Sequence, residues 1–304
     1  MTALGAQTPM PVTADTLPVI TTLADMAVSM RDLLRVPRGR VDLTDYDTDA
    51  RLGVPGGKAG KPKNLRTDTA ALQGMQERLF AEAGAGGNRS LLLVLQGTDT
   101  AGKGGVVTHV VGTFEPMGVE YTAWKKPTPE EAAHHFLWRI RRRLPRPGVI
   151  GVFDRSHYED VLVPRVHGQL PTEEIGRRYD EINRFESELA AAGTTVVKCF
   201  LHISKDTQRD RLLARLDDDT KHWKFNPHDL AERARWSDYQ AAYEELLSRC
   251  NTAAAQWYVV PSDSKKYRNW AVGRLLQETL AELDPHYPKV ELDVAALAAD
   301  LERS

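Results

Sequence analysis

From Ser90 onward the chain alternates between short apolar runs and longer amphipathic stretches. Residues 91–95, 149–153, 195–201 and 257–260 are the strong runs, and residues 119–123 form a weaker one. Apolar side chains on both sides of a strand mean burial on both faces, as in a parallel sheet covered by helices. The pattern therefore predicts an α/β fold with helices on both faces of the sheet. Val106, Val107, Val110, Val111 and Phe114 make one apolar stripe, which predicts a helix starting directly after Lys103. Thr128-Pro-Glu-Glu131 spells a capping box with Pro at the first helical position, and predicts a helix running to Arg141, Arg142 and Arg143. Pro171-Thr172 opens another helix, and Gly193 closes it.

The first ninety or so positions read differently. Pro, Thr and Gly punctuate residues 1–16, and residues 53–62 hold Gly56, Gly57, Gly60 and Pro62 around Lys58 and Lys61, a composition of flexible or wrapped segments. Helices are predicted over residues 20–34 and 70–83, the second from the spacing of Leu72, Met75 and Leu79. The division expected is an N-terminal extension with helical segments over 1–89, a core over 90–285 with a lid at about 205–249, and a tail over 286–304.

Composition narrows the function classes. A chain of 304 residues with 41% hydrophobic and 27% charged residues is an ordinary globular protein long enough for a large core. The net charge of -2 means that an anionic partner must be met by local basic clusters. No apolar run reaches the length of a membrane span, and the first residues lack the pattern of a secretory signal. Cys199 and Cys250 have no metal or redox spacing, so both are expected to be thiols in a reducing cytoplasm.

The clearest chemistry lies in Gly97-Thr-Asp-Thr-Ala-Gly-Lys-Gly-Gly105. It has the G-x-x-x-x-G-K form of a phosphate loop, with a buried strand before it and an amphipathic helix after it, the context the motif requires. The loop glycines allow backbone N–H groups to face an anion, and Lys103 adds a full positive charge. Gly104 stands where the motif wants a metal-binding hydroxyl, while Asp99 places a carboxylate inside the loop, where it repels phosphate unless a cation lies between them. Asp99 is thus a candidate Mg²⁺ ligand, alongside its plainer reading as a turn aspartate.

A second site follows in Phe153-Asp-Arg-Ser-His-Tyr-Glu-Asp160. Asp154 at the C-terminal end of a parallel strand faces the crevice where open α/β sheets bind ligands, and resembles the metal-holding acid of phosphate-loop enzymes. Arg155 beside it offers a planar fork for phosphate. Lys125, Lys126 and Arg139 extend a positive track away from the loop. Arg211 and Arg215, spaced i, i+4, can reach the same anion from one helix face, and Lys221 and Lys224 follow in an aperiodic connection of lid-like character. Trp223, Trp236 and Tyr239 are read as packing residues.

These three segments in this order resemble the polyphosphate kinase 2 family, and the similarity runs from about residue 90 to 283, with residues 36–47 also resembling its N-terminal region. The resemblance implies a three-layer phosphate-loop kinase fold like that of thymidylate kinase. It also implies reversible, Mg²⁺-dependent transfer (Mn²⁺ as a possible substitute) between inorganic polyphosphate and AMP or ADP. On it, Gly97, Thr100, Gly102, Lys103, Gly104 and Gly105 match the phosphate loop, with Asp99 and Asp154 the metal and phosphate organisers. Arg155 and Ser156 match phosphate contacts, Arg211, Arg215, Lys221 and Lys224 the lid, and Lys125, Lys126 and Arg139 the polyphosphate channel. Glu159 resembles the subgroup called class III, described as acting on both monophosphates and diphosphates. The partners expected are polyphosphate, AMP, ADP, ATP and further copies of the chain in a homo-oligomer, without nucleic acid or membrane. Two other readings stay open: an ATP-dependent nucleoside monophosphate kinase, and a non-catalytic nucleotide-binding regulator.

Overall fold

The computed structural model describes residues 28–59 and 67–304. The expectations for residues 1–16, for positions 20–27 of the helix at 20–34 and for Gly60, Lys61 and Pro62 lie outside the described residues; within them that helix is shorter than expected, a single turn from Met30 to Leu34 with Ser29 extended before it. Among the described residues five strands, β1 (Ser90–Gln96), β2 (Val119–Ala123), β3 (Ile150–Asp154), β4 (Thr194–His202) and β5 (Ala255–Pro261), form one parallel sheet in the order β2-β3-β1-β4-β5. Leu95 at the end of β1 is in register with Asp154 on one side and Cys199 on the other, so the C-terminal ends of the central strands form one edge.

The helices in chain order are α1 (Met30–Leu34), α2 (Thr69–Gly84), α3 (Lys103–His109), α4 (Pro129–Ala132), α5 (Trp138–Arg141) and α6 (Glu159–Val166). They continue with α7 (Thr172–Ala191), α8 (Lys205–Leu216), α9 (His228–Ala234), α10 (Trp236–Arg249), α11 (Lys265–Leu283) and α12 (Val294–Arg303). Side chains alternate across β1: Leu91, Leu93 and Leu95 enter a core with α1, α2, α3 and α11, while Leu92 and Val94 enter a second with α6, α7 and α10. Both faces of the sheet are covered, as the unbroken apolar runs predict. Residues ahead of the sheet join both cores. Met30, Leu34 and Val54 pack in the first and Val36, Val41 and Leu43 in the second, and the Val36 N–H donates to the Trp257 carbonyl at 2.9 Å.

Two helix expectations need correction. The stretch from Thr128 to Arg143 is two single turns, α4 and α5, although both halves of the capping box form at Thr128 and Glu131. Glu130, Ala132, Ala133, His134 and His135 are all exposed, so a longer helix there has nothing to bury, and an isolated short helix is marginal in water. The stripe after Lys103 is also broken: α3 ends at His109 and a 3₁₀ turn, Val111–Thr113, carries Val111 and Phe114 into the same core.

Candidate active site

The loop between β1 and α3 is held in conformations that ordinary residues avoid. Gly102 has φ +111°, open to glycine at no steric cost, but Thr100 adopts φ +63° with a β-branched side chain. Such outliers persist where the surroundings over-determine them, and they cluster at functional sites. The Thr100 hydroxyl is buried with no hydrogen-bond partner. Lys103 is buried and folds over the loop, its Nζ donating to the carbonyls of Gly97 at 2.7 Å and Thr98 at 3.3 Å. Burial, and then the nearby Arg155 charge, lower its pKa, while Asp154, Asp99 and Glu159 oppose that shift.

Asp154 is the last residue of β3, and Arg155 after it takes φ +64°, fixed by its N–H donating to the Leu95 carbonyl at 3.0 Å. This turn aims Arg155 across the strand edge, where Nη2 donates to the Asp99 carboxylate at 2.8 Å. Burial works against the Arg155 charge, but Glu159 and Asp99 outweigh it and raise its pKa. The Asp154 carboxylate accepts from the Tyr121 hydroxyl at 3.3 Å. Glu159 opens α6 beside them, and burial pushes its carboxyl pKa up despite Arg155 and Lys103 nearby.

A cavity of about 650 Å³ opens in front of this edge. Gly97, Thr98, Asp99, Arg155 and Glu159 form its floor, Lys125, Lys126 and Arg139 one wall, and Leu162, Val163, Pro164, Trp236, Tyr239 and Tyr243 a largely apolar wall. The volume is that of a small-molecule site, and Asp160, Asp229 and Glu232 add carboxylates to its lining. Among the described residues no three His, Cys, Asp or Glu side chains gather to hold an ion. Asp99 and Asp154 offer two carboxylates, one on the loop and one on the strand end. That donor set fits Mg²⁺, which takes one or two carboxylates and leaves its other positions to water and phosphate oxygens.

The family model for polyphosphate kinase 2 matches residues 58–288. The chain belongs to the polyphosphate kinase 2 family. It is 43% identical over 255 residues to the AMP/ADP-polyphosphate phosphotransferase of Meiothermus ruber, covering 84% of this chain and 94% of that protein. It is 41% identical over 237 residues to the ADP-polyphosphate phosphotransferase of Rhodopseudomonas palustris, covering 74% and 81% of the two chains. Among solved structures, polyphosphate kinase 2 from Arthrobacter aurescens TC1 superposes with a TM-score of 0.87 at 48% identity, covering 92% of this chain and 98% of that one.

Within this member of the polyphosphate kinase 2 family, Gly97, Thr98, Asp99, Arg155 and Glu159 share the cavity with the exposed Lys125 and Lys126, while Lys103 and Asp154 do not line it and lie beside it within electrostatic reach of each other. Other expected contacts are spoken for. Ser156 is fully buried and its Oγ accepts from Gln96 Nε2 at 3.0 Å, so it braces the turn from inside and does not face a ligand. Arg139 is only 5% exposed; it donates to the Lys125 carbonyl at 2.8 Å and to Asp160 at 3.0 Å. Its charge is already matched, so it supports the wall and does not extend a free positive track.

Arg211 and Arg215 diverge where the i, i+4 spacing implied convergence. Arg211 grips backbone carbonyls behind the loop, whereas Arg215 donates to the Lys224 carbonyl at 3.0 Å and pairs with Asp229. Lys221 pairs with Asp218, and Lys224 lies over the ring of Trp223, which is 78% exposed and not a packing residue. The sequence reading missed the cavity role of Trp236, Tyr239 and Tyr243. Their i, i+3, i+7 spacing on α10 was the available signal, though core stripes give the same one. It also missed Gln208, whose side chain donates to the Asp99 carbonyl at 3.2 Å.

Proposed function

We propose that this chain is a polyphosphate:nucleotide phosphotransferase that moves phosphoryl groups between inorganic polyphosphate and AMP or ADP, in both directions. The observation that carries the reading is the meeting of the loop residues Gly97, Thr98 and Asp99, of Arg155 and Glu159 and of the exposed Lys125 and Lys126 on one cavity, with Lys103 and Asp154 beside them within electrostatic reach of each other. Polyphosphate carries charge on every unit and no base, so it calls for cations along a path and no stacking platform. The apolar wall of Leu162, Trp236 and Tyr239 suits the nucleoside of an acceptor.

The acceptor phosphate is already ionised, so no strong general base is required, and catalysis is positioning and charge neutralisation. Lys103 leaves the Gly97 carbonyl, and Arg155 turns from Asp99, to meet the oxygens of the transferred phosphoryl group. Asp99 and Asp154 would hold Mg²⁺, with Mn²⁺ as a substitute; the bound ion supplies further neutralisation of charge on the phosphate oxygens. Residues at about 205–249 act as a lid, with Arg215, Lys221 and Lys224 on its closing segment. The Meiothermus ruber relative, named for both AMP and ADP, and Glu159 at the start of α6 support acceptance of both nucleotides. We infer a cytoplasmic homo-oligomer; two buried, unpaired thiols support the compartment.

The test is to incubate the purified protein with Mg²⁺, polyphosphate and AMP, ADP, GMP or GDP in separate reactions without ATP. Formation of ADP from AMP and of ATP from ADP is expected. Absence of both products, with phosphoryl transfer to AMP appearing only on addition of ATP, means an ordinary monophosphate kinase.

A further inference from the structure

Behind the phosphate loop, on the side away from the cavity, two guanidinium groups meet on one carbonyl. Arg268, near the start of α11 and 3% exposed, donates from Nη1 to the Ala101 carbonyl at 3.2 Å and from Nε and Nη2 to the Asn269 side chain at 3.1 and 2.8 Å. Arg211 arrives from α8. Its Nη1 donates to the carbonyls of Thr100 at 2.8 Å and Ala101 at 3.2 Å, and its Nη2 to those of Ser262 at 2.6 Å and Asp263 at 2.9 Å. Among the described residues neither guanidinium has a carboxylate within ion-pair distance. Burial, and then the Arg211 charge, bring the Arg268 pKa down to about 10, so it stays protonated at neutral pH.

Arg211 is half-buried and feels the Asp263 carboxylate, but Arg268 is buried and faces only another positive charge, which is costly, and removal of water makes that charge reach further. The anion missing from the protein is the one the loop is shaped to receive. We propose that Arg268 is a positioning residue for the donor phosphates, holding the Ala101 carbonyl behind the loop and presenting its charge to them through the backbone. The proposal rests on the phosphotransferase reading above. Because the peptide is trans, a carbonyl held at the rear sends the following N–H, that of Gly102, to the opposite side.

The loop glycines record the same contact. A Cβ at Gly102 would fall on Nη1 of Arg268, and one at Gly105 would collide with Nη2. Gly102 needs glycine for its φ of +111° in any case. Gly105 is not among the positive-φ glycines, and the three atoms nearest its virtual Cβ all belong to Arg268. Glycine at 105 therefore keeps the guanidinium in place.

The experiment compares wild type with Arg268→Met, Arg268→Lys, Gly105→Ala and the Gly105→Ala/Arg268→Met double variant. Tripolyphosphate binding is measured by calorimetry, KM for polyphosphate and for ADP by steady-state assay, and folding by thermal melting. Arg268→Met is expected to weaken tripolyphosphate binding and raise the polyphosphate KM by about tenfold or more while the ADP KM stays within about twofold. Arg268→Lys recovers part of the loss, Gly105→Ala reproduces it, and the double variant is no worse than either single one. Unchanged tripolyphosphate binding in Arg268→Met overturns the proposal, as does an equal rise in both KM values. If Arg268→Met fails to fold, Gly105→Ala decides, and normal donor affinity there overturns it. A wild type that binds tripolyphosphate but transfers nothing to ADP defeats the phosphotransferase reading, and the binding comparison still judges Arg268.

Discussion

Lys198 lies in the middle of β4 with no exposure, among apolar neighbours, and its replacement by Met gives a sharp test of how the Asp154–Arg155 turn is held. Its Nζ donates to Glu186 at 2.6 Å, to the Tyr158 hydroxyl at 2.8 Å and to the Cys250 carbonyl at 2.7 Å. Glu186, equally buried, also accepts from Tyr158 at 2.7 Å and contacts His157 Nε2 at 3.2 Å. His157 and Tyr158 belong to the same turn as Asp154 and Arg155, so this buried pair anchors the site from behind. Lys198→Met keeps the volume but strands a buried carboxylate, which costs about 3–5 kcal/mol. At roughly 2 °C per kcal/mol for a chain of this size, the melting temperature falls by roughly 6–10 °C.

The pH dependence carries a sign that packing loss alone does not. Burial alone would raise the Glu186 pKa, but Lys198 and His157 bring it below its usual value. Its contribution in the wild type is therefore present above the unfolded carboxylate pKa of about 4.3 and lost as pH falls through the lower folded value. Without Lys198 the burial effect dominates and the folded pKa rises above the unfolded one. Lys198→Met should then gain stability relative to the wild type as pH falls from 7 towards 5, a range in which the wild type's Glu186 contribution is constant. Thermal melts across that range check this. A drop below about 2 °C at pH 7, or parallel pH profiles, refutes the reasoning.

Asp154→Asn should lower the transfer rate by at least about a hundredfold and weaken the response to added Mg²⁺, and a chelator should abolish transfer in the wild type until Mg²⁺ is restored. Asp99→Ala should abolish transfer, and Gly104→Ser, although position 104 has open space for a side chain, should not rescue it; steady-state assays of the single and double variants check both. Arg139→Met should cost about 1–3 kcal/mol by removing a charged hydrogen bond from the half-buried Asp160, which keeps the Arg178 charge nearby, read in a thermal melt. Lys126→Met should raise the KM for polyphosphate without moving the melt, since Lys126 is exposed.

The sheet and the loop were legible because strands buried on both faces leave unbroken apolar runs, and because a phosphate loop needs glycines and a lysine at fixed spacing. The stretch 128–143 was not, since a capping box states only where a helix starts and not whether anything follows for it to pack on. Charged side chains were the least legible. Spacing puts Arg211 and Arg215 on one face, but the partner each reaches depends on backbone carbonyls and Asp229, which tertiary folding brings near. Arg139 looked like one more cation on a track, and only the approach of Asp160 from α6 shows its charge to be matched. Lys198 interrupting an apolar strand was a visible signal for a buried ion pair, though nothing in the sequence named Glu186 as its partner.

The most direct measurement is nucleotide formation by purified protein given Mg²⁺ and polyphosphate with ADP or AMP, in the absence of ATP. ATP should appear from ADP and ADP from AMP, both dependent on Lys103 and Asp154. No product with either acceptor, from folded protein that still binds tripolyphosphate, would contradict the account.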